Sequence, residues 1–377
     1  MSIQRPMILL IFYFFTANAQ DFGVPDPPIP ANVPFFWKST IDDIKMEMAI
    51  VQKGIVQTIA KSPGELPIFL VSYGEKDDLF SKANYNSAVA ARNPAFYARK
   101  DSLTKPVIFF LGPVHGQEIE NIVGLINLVH VLETGRDFRG KAWPGLLEKA
   151  ARCRILIIPC GNPDGRRRCP YDSFVGLPTK TMTKYGQGTR KDGSLYGWPG
   201  AKAVHPMRGD VAILGAYFND DGINPMHDEF FDPMAAETKA ILKVAREEAP
   251  DLAVSLHSHE NKPVVLQASY VPMFMKKRIM DLSQKVKEHF DSVGLPYGAV
   301  FEPAVEDETF PAKKYFNLTS ALHHISGAMS FTFECCHGSM SDKSRELLIT
   351  HEGILDIQLN LFDVMLAYIL QNRLLWD

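Results

Sequence analysis

The stretch Pro106-Val-Ile-Phe-Phe-Leu111, followed by Gly112-Pro113-Val114-His115-Gly116-Gln117-Glu118, decides the reading of this chain. Its first half is a short run of β-branched and aromatic residues, the composition of a buried strand. Gly112-Pro113 then breaks the run, so His115 and Glu118 fall on a turn at the strand's end. A helical apolar pattern begins at once, with Ile119, Ile122, Val123, Ile126 and Val129 on one face. Strand, turn and helix in that order predict an α/β sheet with ligands held at strand ends.

A His-x-x-Glu pair can place two metal ligands on one turn of chain, but the pattern alone is weak. It occurs three times, at His115/Glu118, His130/Glu133 and His257/Glu260. Context separates the three. His130 lies within the helical pattern and reads as a packed helix residue. His257 follows another apolar run, Leu252-Ala-Val-Ser-Leu256, and so also ends a strand. Spacing leaves open whether Glu260 joins it. A third strand end carries Ser330-Phe-Thr-Phe-Glu334. Two ligands from His115 and Glu118, a third from His257 and a free carboxylate on Glu334 satisfy a catalytic zinc ion, which takes three protein ligands and leaves one position open.

Outward from these motifs, strands are expected near 68–71, 107–111, 154–158, 252–256 and 328–334. Helices are expected at 41–60, 119–133, 233–248, 272–293 and 352–371, the third starting at Asp232-Pro233. Residues 161–231 are rich in Gly, Pro, Asn and Lys without a period, far longer than an ordinary connection. They are expected to wall a substrate cleft. No linker or repeat divides the chain, so residues 20–377 read as one domain.

Residues 1–19 read as a secretory signal: Arg5, an apolar core from Met7 to Phe15, and the small-x-small site Ala17-Asn18-Ala19. No other stretch is read as transmembrane, so a secreted or periplasmic location without a membrane span is expected. The whole chain has 40 basic and 43 acidic side chains and no basic stripe, which argues against nucleic acid as a partner. Five cysteines do not make a disulfide framework, although they could form one or two bridges with a thiol left over. Asn317-Leu-Thr319 forms a glycosylation sequon.

The ordered set Gly112-x-x-His115-Gly-x-Glu118, Asn162-Pro-Asp-Gly165, Leu256-His257-Ser258 and Ser330-Phe-Thr-Phe-Glu334 resembles the zinc carboxypeptidases related to carboxypeptidase A, over roughly residues 40 to 370. The resemblance implies a three-layer α/β/α fold around a mixed, roughly eight-stranded sheet, and one zinc ion. It implies His115, Glu118 and His257 as ligands, Glu334 as general base, and Glu260 as no ligand. It puts His259 where the family often has a tyrosine lining the substrate site, and Tyr315 nearest to the family's mobile tyrosine. Arg190, followed by Lys191, best matches the arginine that polarises the scissile carbonyl, although Arg166, Arg167 and Arg168 are nearer to Asn-Pro-Asp-Gly.

One departure bears on the substrate. The family's Asn-Arg pair, which clamps a terminal carboxylate, reads Asn219-Asp220 here. An aspartate at a clamp would repel a carboxylate. Either Asp220 and Asp221 favour a cationic substrate group, or both are solvated and another cation, from Arg166–Arg168 or Arg208, supplies the clamp. The expected substrate is a peptide, with a small acyl-amino acid as the alternative. A non-catalytic binding protein would be expected to have lost a ligand or the base, and all four are present.

Overall fold

The computed structural model describes residues 26–30, 33–306, 314–340 and 349–376. The signal sequence expected at residues 1–19 lies outside the described residues. In chain order the elements are α1 (Ile41–Ile50), β1 (Ile55–Lys61), β2 (Pro67–Tyr73), α2 (Tyr85–Ala90), β3 (Val107–Leu111), α3 (Ile119–Thr134), α4 (Pro144–Ala150), β4 (Arg154–Ile158), α5 (Pro163–Arg168), α6 (Thr179–Gln187), α7 (Ala236–Glu248), β5 (Leu252–His259), β6 (Val264–Gln267), α8 (Met273–Val293), α9 (Leu318–Ser326), β7 (Met329–Cys336) and α10 (His351–Gln371).

The strands form one mixed sheet in the order β1-β2-β4-β3-β5-β7-β6, seven among the described residues where roughly eight were expected. Its centre, β4-β3-β5-β7, is parallel, and β1, β2 and β6 run antiparallel at the two sides. Helices cover both faces because side chains alternate along each central strand. On β3, Ile108 and Phe110 join the larger core with α3, α8 and α10, while Phe109 and Leu111 join the smaller core with α7 and α9. β4 divides in the same way, with Ile155 and Ile157 on one side and Leu156 and Ile158 on the other.

α3 is buried on nearly every side, since it lies between the sheet and α10. Their close approach depends on Gly124, where a Cβ would come within 2.7 Å of Gln358 on α10. α10 is long and apolar enough to cross a membrane by length and composition, contrary to the expectation that no such stretch exists after residue 19. Here it is a core helix, packed on α3, α4 and α8.

Other expectations are corrected. The helix expected over 41–60 stops at Ile50. Ile55-Val-Gln-Thr-Ile-Ala-Lys61 is instead an edge strand, its β-branched residues paired with β2. Asp232-Pro233 does not start α7, whose first helical residue is Ala236. The carboxylate at that turn is Asp228, which accepts from the backbone N–H groups of Met234 and Ala235. All five cysteines are buried free thiols, so no bridge forms. Asn317 of the sequon caps α9 by accepting from the Ser320 N–H, and Thr319 is buried.

Candidate metal centre

The chain leaves β3 to one side to form β4 and returns on β3's other side as β5, which makes the gap between β3 and β5 a topological switch point. His115 and Glu118 lie on the turn after β3, His257 near the end of β5 and Glu334 near the end of β7. The His115–Glu118 turn is seated by a close backbone approach. A Cβ on Gly116 would lie 2.1 Å from the Arg166 nitrogen, and the Gly116 N–H donates to the Ala216 carbonyl at 2.8 Å.

His115, Glu118 and His257 are each buried, and one ligand atom from each lies within 4.8 Å of the others. Glu118 sits between the two imidazoles, its Oε1 2.9 Å from Nδ1 of His115 and its Oε2 3.0 Å from Nδ1 of His257. Both Nδ1 atoms therefore point to one spot. The outer nitrogen of His257 is held by Ser255 Oγ at 3.0 Å, a contact that fixes the ring's orientation. His115 is fixed differently, by the ring of Tyr217 stacked on it at 3.7 Å and 7°. Two imidazoles and a carboxylate converging in a buried space fit a zinc ion by donor type and number.

The electrostatics agree with that fit. Burial works against ionising Glu118, but the two histidines overcome it and push its pKa down to about 2. His115 is shifted down, by burial first, with Glu118 opposing. Burial also opposes the charged form of His257, yet Glu118 and Glu334 shift it up. Glu334 is pushed up to about 7 by burial, with His257 pulling down and Glu118 pushing up. It lines the same cavity and is not among the ligating atoms.

That cavity holds about 830 Å³ and is lined by His115, Glu118, His257 and Glu334 on the sheet side. Val264, Leu266 and Phe301 give it an apolar wall. A second hollow of about 670 Å³ shares Trp198, Tyr217 and His259 with the first and continues past Thr179, Met182 and His337. The 161–231 segment does contribute wall residues to both, as its length suggested.

The remaining sequence-derived candidates separate cleanly. His259 and Tyr315 line the cavity, and so does Glu260, which is outside the ligating group. Arg190 does not: its Nη1 donates to the Leu195 carbonyl at 2.9 Å and its guanidinium lies over the Tyr196 ring. Asn219 is buried inside its own turn, accepting from the N–H groups of Asp221 and Ile223 and donating to Glu237. Asp220 also lies off the cavity, paired with Arg167 at 2.9 Å and with Arg168. Arg166 donates to the Ser39 and Cys169 carbonyls and to Asp172, and Arg208 reaches the Asp221 carbonyl. None of these arginines lines the cavity.

Among the described residues, the cations that line it are Lys202 and Lys262, neither of which the sequence marked. Tyr217 and His227 were missed as well. All but Lys262 sit in the aperiodic 161–231 segment, where no spacing marks a functional residue. Tyr217, two residues before Asn219, was the one within reach of a quoted motif. His130, by contrast, is structural: its Nδ1 meets Glu47 at 3.1 Å and its ring stacks on Phe138. Glu133 accepts from the N–H groups of Gln52 and Lys53 in the turn before β1.

The fold is that of the metallo-carboxypeptidases. The chain is similar to a metallo-carboxypeptidase from Burkholderia cenocepacia, with a TM-score of 0.52, 14% identity, and 87% of this chain and 68% of that chain covered. It is also similar to thrombin-activatable fibrinolysis inhibitor, with a TM-score of 0.52, 12% identity, and 90% of this chain and 77% of that chain covered. At such identities the likeness is one of fold. No protein-family model and no curated protein matches the sequence.

Proposed function

We propose that this chain is a zinc-dependent peptidase that hydrolyses an amide bond in a peptide, with Glu334 as general base. The carrying observation is that His115, Glu118 and His257 bring three buried ligand atoms within 4.8 Å of one another, in a cavity that Glu334 also lines. A bound zinc ion supplies Lewis acidity, which makes water a competent nucleophile at neutral pH. Glu334, buried and raised to about 7, is suited to take a proton from the attacking water and return it to the leaving amine. Ser255 and Tyr217 hold the two imidazoles in place, so the ligands need little reorganisation.

The size of the cleft favours a peptide over a small acyl-amino acid. Two continuous hollows of about 830 and 670 Å³ exceed what one acylated residue fills. Export to the periplasm or outside the cell, inferred from residues 1–19, belongs to the same proposal. The deciding experiment compares zinc-loaded protein with Glu334→Gln on blocked peptides and on small N-acyl amino acids. Cleavage of peptides that is lost in the variant supports the reading. Turnover confined to small acyl-amino acids sinks it in favour of a deacylase.

A further inference from the structure

The second hollow has a chemistry unlike the first. One of its walls is a face of α6, on which Thr179, Met182, Thr183, Gly186 and Gln187 recur at helical spacing. A helix satisfies its own backbone groups. This wall therefore offers hydroxyls and amides, but no ladder of N–H and C=O groups on which an extended peptide could pair. Gln117 and His337 complete the part that the first hollow does not share. Burial pushes the pKa of His337 down to about 3, so its ring is neutral near pH 7. Among the described residues, that deeper part carries no ionised side chain. An ion of either sign would lose its water there without gaining a counter-charge.

An apolar group is no better suited. Gln117 is only 1% exposed, and its Oε1 has no partner among the described residues. The Thr183 hydroxyl donates to the Thr179 carbonyl at 3.2 Å, so what it has left is accepting capacity. A buried acceptor left bare costs stability until a donor reaches it. The ligand is thus neutral, polar and rich in donors, which describes a polyalcohol.

Two residues at the mouth narrow this further. Trp198 lines both hollows and is 61% exposed, so its indole is a ready platform. Glu260 lines both as well and forms no ion pair among the described residues, which leaves its carboxylate able to accept from two neighbouring hydroxyls. A pyranose ring has both counterparts: an apolar C–H face for the indole, and hydroxyls around its rim.

We propose that the hollow walled by α6 is a sugar subsite, which receives a neutral glycosyl group carried on the peptide held in the first hollow. The substrate class is then a glycosylated peptide. This assignment rests on the peptidase reading for the peptide part alone, and sugar binding can be measured without turnover.

The probes are lactose, cellobiose, mannobiose and diacetylchitobiose, with the neutral peptide acetyl-seryl-glutaminyl-serine amide beside them. Each is titrated into wild-type protein, Trp198→Ala and Thr183→Arg, followed by saturation-transfer NMR, with zinc bound and after chelation. At least one sugar should bind the wild type with a Kd of about 1 mM or tighter, equally in both forms. Trp198→Ala should weaken the tightest of them by about 3- to 10-fold, the worth of one aromatic face. Thr183→Arg, which fills the hollow from α6, should abolish its binding. Because Trp198 is largely exposed, its variant reports even where Thr183→Arg costs stability. No sugar bound at concentrations on the order of 20 mM overturns the proposal. So does binding that both variants leave unchanged, or that chelation alone removes. Binding of the peptide amide without any sugar, blocked by Thr183→Arg, overturns it in favour of a peptide subsite. If the sugar follows Trp198 and Thr183 but no peptide is cleaved, the peptidase reading fails and the sugar site stands. If peptides are cleaved and no sugar binds, the reverse holds.

Discussion

His257 and Glu334 are register partners, facing each other across the parallel strands β5 and β7. Neighbouring residues in register point to the same face of a sheet, so a candidate metal ligand and a carboxylate enter the cavity side by side. Glu334 raises the affinity of His257 for a proton, and His257 in turn stabilises the charged form of Glu334. Glu334→Gln should therefore keep zinc at one per chain while kcat/KM falls by about 10² to 10⁴, the range for a lost general base. Metal analysis beside kinetics checks this; near wild-type turnover would remove Glu334 from the chemistry.

His115→Ala takes away one of the three proposed ligands from a site buried in the protein. Zinc content should drop from one per chain to a small fraction after dialysis against a weak chelator. Full occupancy would exclude His115 as a ligand. The fold should survive, because the Tyr217 hydroxyl accepts from Gln187 Nε2 at 3.2 Å and the end of β3 is paired with β4.

Gly116→Ala places a Cβ 2.1 Å from the Arg166 nitrogen, an atom of backbone that cannot swing aside. The expected result is a loss of about 1–3 kcal/mol of stability, the usual cost of overpacking. Zinc affinity should weaken as well, since the strain falls on the turn between His115 and Glu118. A variant with unchanged melting temperature and zinc affinity would show that the turn can shift freely.

His323 predicts an acid-side loss of stability. Burial pushes its pKa down to about 4, while its Nδ1 meets the Ala328 carbonyl at 2.9 Å and only partly offsets this. An unfolded histidine takes up a proton near pH 6.5, so below that the unfolded state binds more protons than the folded one. Stability should fall between pH 6.5 and about 4, by roughly 3 kcal/mol from this group. His323→Asn should reduce the slope of that part of the profile in chemical denaturation, with His227 and His337, also shifted down by burial, supplying the remainder. An unchanged slope would assign the effect elsewhere.

Asp220→Arg tests whether the clamp position of related folds matters here. Because Asp220 pairs with Arg167 and Arg168 outside the cavity, reversing its charge should leave the relative cleavage of free and amidated C-termini unchanged. It should cost about 1 kcal/mol or less in stability, as expected for a half-exposed pair. A rise in cleavage of free C-terminal peptides would mean that residue 220 reaches the substrate after all.

The parts legible in the sequence are those fixed by burial. Val107–Leu111 and Arg154–Ile158 match their expected bounds because, Arg154 apart, every residue of these doubly covered strands is apolar, which marks where each run lies. The gathering of His115, Glu118, His257 and Glu334 around one cavity was legible for the same reason: they are polar residues at or just beyond the ends of such runs. Edge and loop elements were not. Ile55–Lys61 is half-exposed, and its apolar residues continue the helical spacing of α1, so only Gly54 and the β-branched side chains mark the change. Lys202 and Tyr217 reach the cavity from a segment without a period, through turns that depend on distant contacts. Arg190-Lys191 showed the cost of relying on residue type there: a suitable arginine lies close in sequence and packs on Tyr196 instead.

The placement of the ligands at the ends of β3 and β5 has a consequence for how the protein handles its metal. Both strands are paired on each side and enclosed by helices, so their ends are positioned by the whole core rather than by the ion. A chelated sample should stay folded and take zinc back in a single fast phase, as a socket accepts a plug. The ion can thus be exchanged, withheld or supplied late without the chain having to fold a second time.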